Sequence, residues 1–321
     1  MRSGARSAWL VAGLVGVALA AAGAAQAQGS QRLYLPAMWR PPVGPVVGGC
    51  QMFPPDNPWN RDISGDPVDA NSANYINYIL RSRRTLHPDF GSNPDYGIPY
   101  TLVPAGQPGL PVSFQYDDES DPGPYPIPPN PPIEAGSDRH ILIVRQGECK
   151  LYELFAAANT VGGWTAGSGA IFDLNSNALR PLYWTSADAA GLPVLAGLVR
   201  YDEVAAGEIR HALRFTVQTS QRAFILPATH YASAVTDPSA PPMGLRLRLQ
   251  AGYDTSRFTG HSRVILEALK RYGMIVADNG SSWFISGATD PRWDDDDLAQ
   301  LKTVPGSAFE VVQIQPGTLY R

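Results

Sequence analysis

The 321-residue chain has two cysteines, five histidines and only 17% charged residues, and beyond its first segment it has no long apolar run. Two cysteines cannot build a disulfide-scaffold miniprotein, and the glycines show none of the three-residue period of a collagen. Lysines and arginines are scattered and the net charge is −4. Nothing in this resembles the basic patch of a nucleic-acid partner, and none is expected. There is no Gly-x-Ser-x-Gly elbow, Walker loop or His-Glu-x-x-His, and no His or Cys pair has zinc-ligand spacing. No cofactor is therefore expected. What the chain does have is 44% hydrophobic and 10% aromatic residues, 31 glycines and 30 prolines, enough for a sizeable core joined by many loops.

Residues 1–27 read as a secretory signal. Arg2 and Arg6 precede a short run of Ala, Gly, Val and Leu, and Ala25-Gln26-Ala27 supplies a small-x-small cleavage site. Removing 27 residues from 321 leaves 294, and losing two arginines takes the net charge from −4 to −6. The expected location is extracellular or in the cell envelope, with no membrane span. In an oxidising compartment Cys50 and Cys149 are expected to pair, closing a loop of about 100 residues.

Residues 28–49 form a Pro/Gly-rich tether, and residues 50–321 are expected to be a single β-rich domain. Ten of the prolines lie within residues 104–132. Proline fixes φ and removes a donor, so this stretch should drape over a scaffold built from later residues. Short β-favouring runs follow at 140–144, 151–155, 211–217, 223–226 and 244–250. Helices are expected at 71–83, 262–272 and 294–301, the last opened by four aspartates whose charge suits a helix N-terminus. Residues 274–277 and 283–286 read as a hairpin joined by Asp278-Asn279-Gly280, a turn without chemistry. The expected fold is mainly β: an antiparallel β-sandwich, jelly-roll-like, with one or two short helices and long Pro/Gly-rich loops.

Strand alternation puts His140, Glu153 and His211 in apolar registers, where a titratable group is either a satisfied core polar group or part of a cleft. The same trio is a conceivable two-His, one-carboxylate metal site. Residues 167–203 are rich in polar groups on loops, where function concentrates. Asp173, Asp188 and Glu153 are the candidate acid/base carboxylates, with His140, His211 and His230 as further candidates. Asn175, Asn177, Arg180, Trp184 and Tyr201 are the candidate substrate contacts, since amides, guanidinium and aromatic rings suit sugar hydroxyls and ring faces. Asp and Asn are also turn formers that bond their own backbone.

The segments NPWN at 57–60, GAIFDLNSN at 169–177, WTSADAAG at 184–191, RYDEV at 200–204 and YGMIVADNG at 272–280 resemble a recurrent set in secreted bacterial proteins of uncharacterised function. The resemblance implies no activity and transfers no catalytic residue. The residues themselves lead to a secreted carbohydrate-active enzyme, a glycoside hydrolase or polysaccharide lyase with a polysaccharide or cell-surface glycan as partner. The alternative is a non-catalytic carbohydrate-binding or cell-surface module. A metal-dependent oxidase or cupin-like enzyme is the third reading.

Overall fold

The computed structural model describes residues 44–321, so the signal segment and most of the tether lie outside the described residues. The chain is mainly β, with several sheets and four short helices. The last tether residues are ordered: Val46–Val47 pairs antiparallel with Cys50–Gln51, and Cys50 is disulfide-bonded to Cys149.

Two larger sheets carry the core. The first has four strands in the order Ser168–Asp173, Lys150–Phe155, Ile141–Arg145 and Tyr100–Val103. Its two faces are both buried. Leu142, Val144 and Leu151 join the main core, whereas Ile141, Ile143, Tyr152 and Leu154 pack under Tyr125, Ile127 and Val103. That second cluster is where the proline-rich stretch drapes, which explains why residues 141–144 read as an unbroken apolar run rather than an alternating one. A small sheet of Val112–Phe114, Gly163–Ala166 and Ala158–Thr160 completes this cover.

The second sheet has six strands in the order Phe309–Val311, Arg246–Leu249, Met274–Asn279, Leu213–Val217, Phe284–Ser286 and His87–Asp89. It is mixed rather than wholly antiparallel. Leu213–Val217 runs parallel to Met274–Asn279, and His87–Asp89 runs parallel to Phe284–Ser286. The helix Gly260–Arg271 makes the connection into Met274–Asn279 and buries Ile265, Leu266 and Leu269. It ends before Gly273, whose φ of 68° suits a helix C-terminus and whose Cβ, if present, would meet the Leu247 carbonyl at 2.1 Å. The other helices are Ser72–Ile79, Tyr201–Ala205 and Asp295–Ala299. In the last, Asp294 caps by accepting from the Asp297 amide at 3.0 Å.

Two details depart from the sequence pattern. Residues 274–277 and 283–286 do not form a hairpin, because Leu213–Val217 lies between them and pairs with both. A local Asn-Gly signal is here overruled by a strand from earlier in the chain. In Leu245-Arg246-Leu247-Arg248-Leu249, alternation alone sets three leucines on a buried face and two arginines on a solvated one, but the arginines do not face water. Arg246 donates to the carbonyls of Pro58, Arg61 and Tyr272, and Arg248 bonds Glu310 and the Ile63 carbonyl. Segment 58–63 thereby covers what alternation alone marks as a solvated face.

Candidate active site

On the face of the six-stranded sheet opposite Phe215 and Val217, the side chains of Arg214, Thr216, Phe284, Ser286 and Asp89 share one side by alternation. Asp278 joins them through an irregularity. Phe215 pairs with Val276, but Thr216 pairs with Asp278, so the register slips past Ala277. In a regular strand Asp278 would share the face of Val276, towards the core. The bulge turns it to the other side, a re-aiming that bulges commonly provide beside active sites.

These residues line a cleft of about 280 Å³, together with Tyr96, Glu134 and His140. Glu134 comes from the loop that ends the proline-rich stretch. It accepts from the backbone N–H of His140 at 3.2 Å and contacts the His140 Nδ1 closely. His140 Nε2 lies 2.9 Å from the carbonyl oxygen of Ala187, which can only accept, so this nitrogen carries a proton. Burial on its own would lower the His140 pKa; the hydrogen bond and charge of Glu134, with Ala187, outweigh it and hold the ring above its ordinary value. Burial pushes Glu134 the other way, but the bonds and charge of His140 keep it below the usual carboxylate range. The pair is an imidazolium and a carboxylate.

Arg214 occupies the floor. Its Nε and Nη2 donate to the two oxygens of Asp188 at 2.9 and 2.8 Å, and its Nη1 donates to the Ser286 hydroxyl at 2.5 Å. Desolvation would lower the Arg214 pKa, yet the attraction of Asp188 more than offsets it, and the guanidinium stays charged. Asp278 Oδ2 lies 3.8 Å from the same guanidinium, beyond hydrogen-bond reach, while the Asn279 amide donates to Oδ1 at 2.7 Å. Burial and the charge of Asp188 push Asp278 up to about 7, against the pull of Arg214. Asp89 is also raised, by burial first, with Tyr96 and Arg214 pulling it back and Glu134 adding to the rise. The cleft thus holds one carboxylate kept ionised by His140 and two carboxyls whose charged forms are disfavoured, the separation of acid and base that acid/base chemistry requires.

Of the residues singled out from sequence, His140 lines the cleft and Asp188 lies behind it, under Arg214. Glu153 is fully buried elsewhere and accepts from the backbone amides of Val194 and Leu195, each at 2.9 Å, anchoring the turn Leu195–Gly197. His211 donates from Nδ1 to the Ala212 carbonyl at 2.8 Å and has Nε2 3.1 Å from Glu203, which also binds Arg200 at 2.7 Å. The three donors of the conceivable metal trio are therefore each engaged with a different protein partner. Among the described residues no group of three or more His, Cys, Asp or Glu side chains converges on one point.

His230 sits 2.8 Å from the Ala189 carbonyl and stacks on Tyr231. Asp173 closes an exposed turn by accepting from Asn175. Asn177 ties Asn57 and Asp56. Arg180 binds Asp121, the Glu119 carbonyl and the Thr185 carbonyl, with its guanidinium 5.7 Å from the Trp184 ring. Tyr201 lies beneath Arg292 and against Trp293.

Asp278, Asp89, Glu134 and Arg214 are cleft residues that sequence reasoning passed over. The only advance signal was Arg214 alternating with Thr216 opposite three apolar residues. No family model, curated protein or solved structure matches the chain, and no helix among the described residues is long and apolar enough to cross a membrane.

Proposed function

We propose that the protein is a secreted carbohydrate-active enzyme that hydrolyses a polysaccharide by carboxylate acid/base chemistry, with Asp278 as proton donor and Glu134 as the ionised carboxylate. The observation that carries this reading is Asp278 pushed up to about 7 in a cleft that also holds Glu134, a carboxylate kept ionised by His140. A carboxyl that keeps its proton near neutral pH can protonate the oxygen leaving a glycosidic bond.

Hydrolysis is favoured over elimination because a lyase must neutralise the carboxylate of a uronate. The cations of this cleft, Arg214 and His140, are already paired with Asp188 and Glu134. Secretion is supported by the signal pattern and by the Cys50–Cys149 bond.

The test incubates the mature protein and Asp278→Asn with a polysaccharide panel, followed for reducing ends, anomeric configuration and ultraviolet absorbance. New reducing ends, lost in the variant, support the reading; absorbance from unsaturated products, or full activity in Asp278→Asn, overturns it. Binding without cleavage is the second reading, favoured by a larger groove of about 690 Å³ lined by Trp164, Leu110, Gln107 and Asn159 on the proline-rich cover. It predicts retention on a glycan with no products.

A further inference from the structure

The segment Trp184-Thr185-Ser186-Ala187-Asp188 is conspicuous in the sequence but unused by the proposed hydrolysis, and together with Ala190 it supports the cleft from behind at three points. Asp188 and Ala187 are both buried beneath the lining residues. The Asp188 carboxylate accepts from Arg214 Nε and Nη2, and the Ser286 hydroxyl accepts from Nη1, so each of the three guanidinium nitrogens has an acceptor. Nη2 is the nitrogen that stands 3.8 Å from Asp278 Oδ2. A carboxyl this close to an unneutralised arginine is drawn into its charged form, and the Asp188 charge opposes that pull. One residue earlier, the Ala187 carbonyl accepts from His140 Nε2, while Nδ1 faces Glu134. Both ring nitrogens meet acceptors, which only the imidazolium satisfies. Two residues after Asp188, the Ala190 amide donates to the Ala277 carbonyl at 3.0 Å. Ala277 is the residue past which the register slips where Asp278 is turned into the cleft. The turn is itself fixed: Ser186 Oγ accepts from the Asp188 amide at 2.9 Å and donates to the Leu192 carbonyl at 2.6 Å.

We infer that segment 186–190 is the positioning element of the cleft: Asp188 occupies the arginine with which Asp278 would otherwise pair, and Ala187 fixes His140 as the cation beside Glu134, so that the proton is kept on Asp278 and the charge on Glu134. The consequence for activity rests on the hydrolase reading; the protonation states rest on the hydrogen bonds alone. Asp188 is thus a positioning residue, since it touches neither the cleft nor a reacting atom. The charged and titratable groups around Asp278 and Glu134 are Arg214, Asp188, His140 and Asp89 with its partner Tyr96, and Glu153 feels both Asp188 and His140. Among these carboxyls only Asp188 is hydrogen-bonded to Arg214. It alone decides whether Nη2 is free to turn to Asp278.

The experiment replaces Asp188 by its isosteric amide, Asp188→Asn, and follows the Asp278 carboxyl carbon by NMR through a pH titration, its signal assigned by its absence in Asp278→Asn. The expected result is a fall of about 1–3 pH units in the Asp278 midpoint, the effect of a guanidinium with no other carboxylate to hold. The alkaline limb of kcat/KM should move down with it, so that activity lost at neutral pH returns in acid. Asp188→Asn is expected to fold, because Arg214 regains a carboxylate in Asp278, whereas Arg214→Met leaves Asp188 with no cation; the urea midpoint of Asp188→Asn should be the higher of the two. The double variant Asp188→Asn/Arg214→Met separates the pull of the arginine from mere loosening of the cleft, since without the arginine the Asp278 midpoint should stay raised. In the unaltered protein, nitrogen NMR should show both His140 ring nitrogens protonated at pH 6.5, the ordinary midpoint of the ring. An unmoved Asp278 midpoint in Asp188→Asn, failure of that variant to fold, an equal fall in the double variant, or a neutral His140 ring overturns the inference and leaves hydrolysis to its own test. A lowered midpoint in a protein that cleaves no glycan upholds the positioning role and overturns hydrolysis. A lowered midpoint with cleavage whose pH profile does not follow it upholds the positioning role and removes Asp278 as the donor.

Discussion

Arg214 grips both carboxylate oxygens of Asp188, at 2.9 and 2.8 Å, with both residues almost completely withdrawn from water. One partner comes from the central strand of the six-stranded sheet and the other from the loop after Trp184, so the pair joins the sheet to the segment that carries Ala187, the acceptor of His140. Truncating Arg214 to Met leaves Asp188 buried and unpaired, a change expected to cost about 3–5 kcal/mol. Arg214→Lys keeps the charge but cannot form the two-pronged contact and should recover only part of the loss. Urea unfolding of the three proteins measures this; an unchanged midpoint in Arg214→Met would show that the pair contributes no net stability.

Asp278 should govern the alkaline limb of activity. In the proposed hydrolysis its protonated form is the donor, and its pKa is raised to about 7, so kcat/KM should fall as pH rises through that value. Asp278→Asn should lower kcat by about 10²–10⁴, the usual contribution of a positioned acid, with little change in thermal midpoint. A pH–rate profile that stays flat from 6 to 9 would remove Asp278 from the donor role.

The sequence made some of this legible and hid the rest for identifiable reasons. Leu247 and Leu249 alternate with arginines and mark a strand correctly, and Cys50 with Cys149 could be paired from compartment alone. Glu153 and His140 were conspicuous because a charged residue in an apolar register breaks a local pattern. Only His140 reaches the cleft; the Glu153 carboxylate is consumed by two backbone amides. Asp278 was hidden because its neighbours spell a hairpin turn, and its exposure to the cleft depends on a one-residue slip against a strand some sixty positions earlier. Asp89 and Glu134 gather only through long-range pairing, which no local period encodes.

Stability should decline from about pH 4 to pH 7. The carboxyls of Glu153 and Asp278 each have folded values raised to about 7, burial being the main cause in both. The native state therefore binds more protons than the unfolded chain across that window, and stability present below the unfolded values is lost as pH rises through the folded ones. His140 acts in the same direction, with its share lost as pH rises through a value above 6.5. Glu134 and Glu203, both lowered, act oppositely: their contribution is lost only as pH falls below their ordinary range. Urea midpoints between pH 4 and 8 should fall with pH, and the slope should shrink in Glu153→Gln, at a cost in stability because the amide cannot accept from both Val194 and Leu195. A midpoint that rises over this window would contradict the assignment.

Removing the Cys50–Cys149 bond should destabilise the fold more than most single substitutions. The bond ties residues 99 apart in sequence, and for a loop of that length the chain-entropy argument gives about 4–5 kcal/mol, less any strain. It also joins the hairpin of Val46–Val47 and Cys50–Gln51 to the turn after Ile141–Arg145, so its loss frees that hairpin from the four-stranded sheet. Cys50 is buried and Cys149 packs against the same core, so Cys→Ala at both positions removes apolar contact as well as the cross-link. Reduction without substitution separates the two: thermal unfolding with and without reductant reports the cross-link alone, and the further drop in the double alanine variant reports the packing. An unfolding midpoint insensitive to reductant, with both thiols shown free by alkylation, would mean that the sheet holds this hairpin unaided.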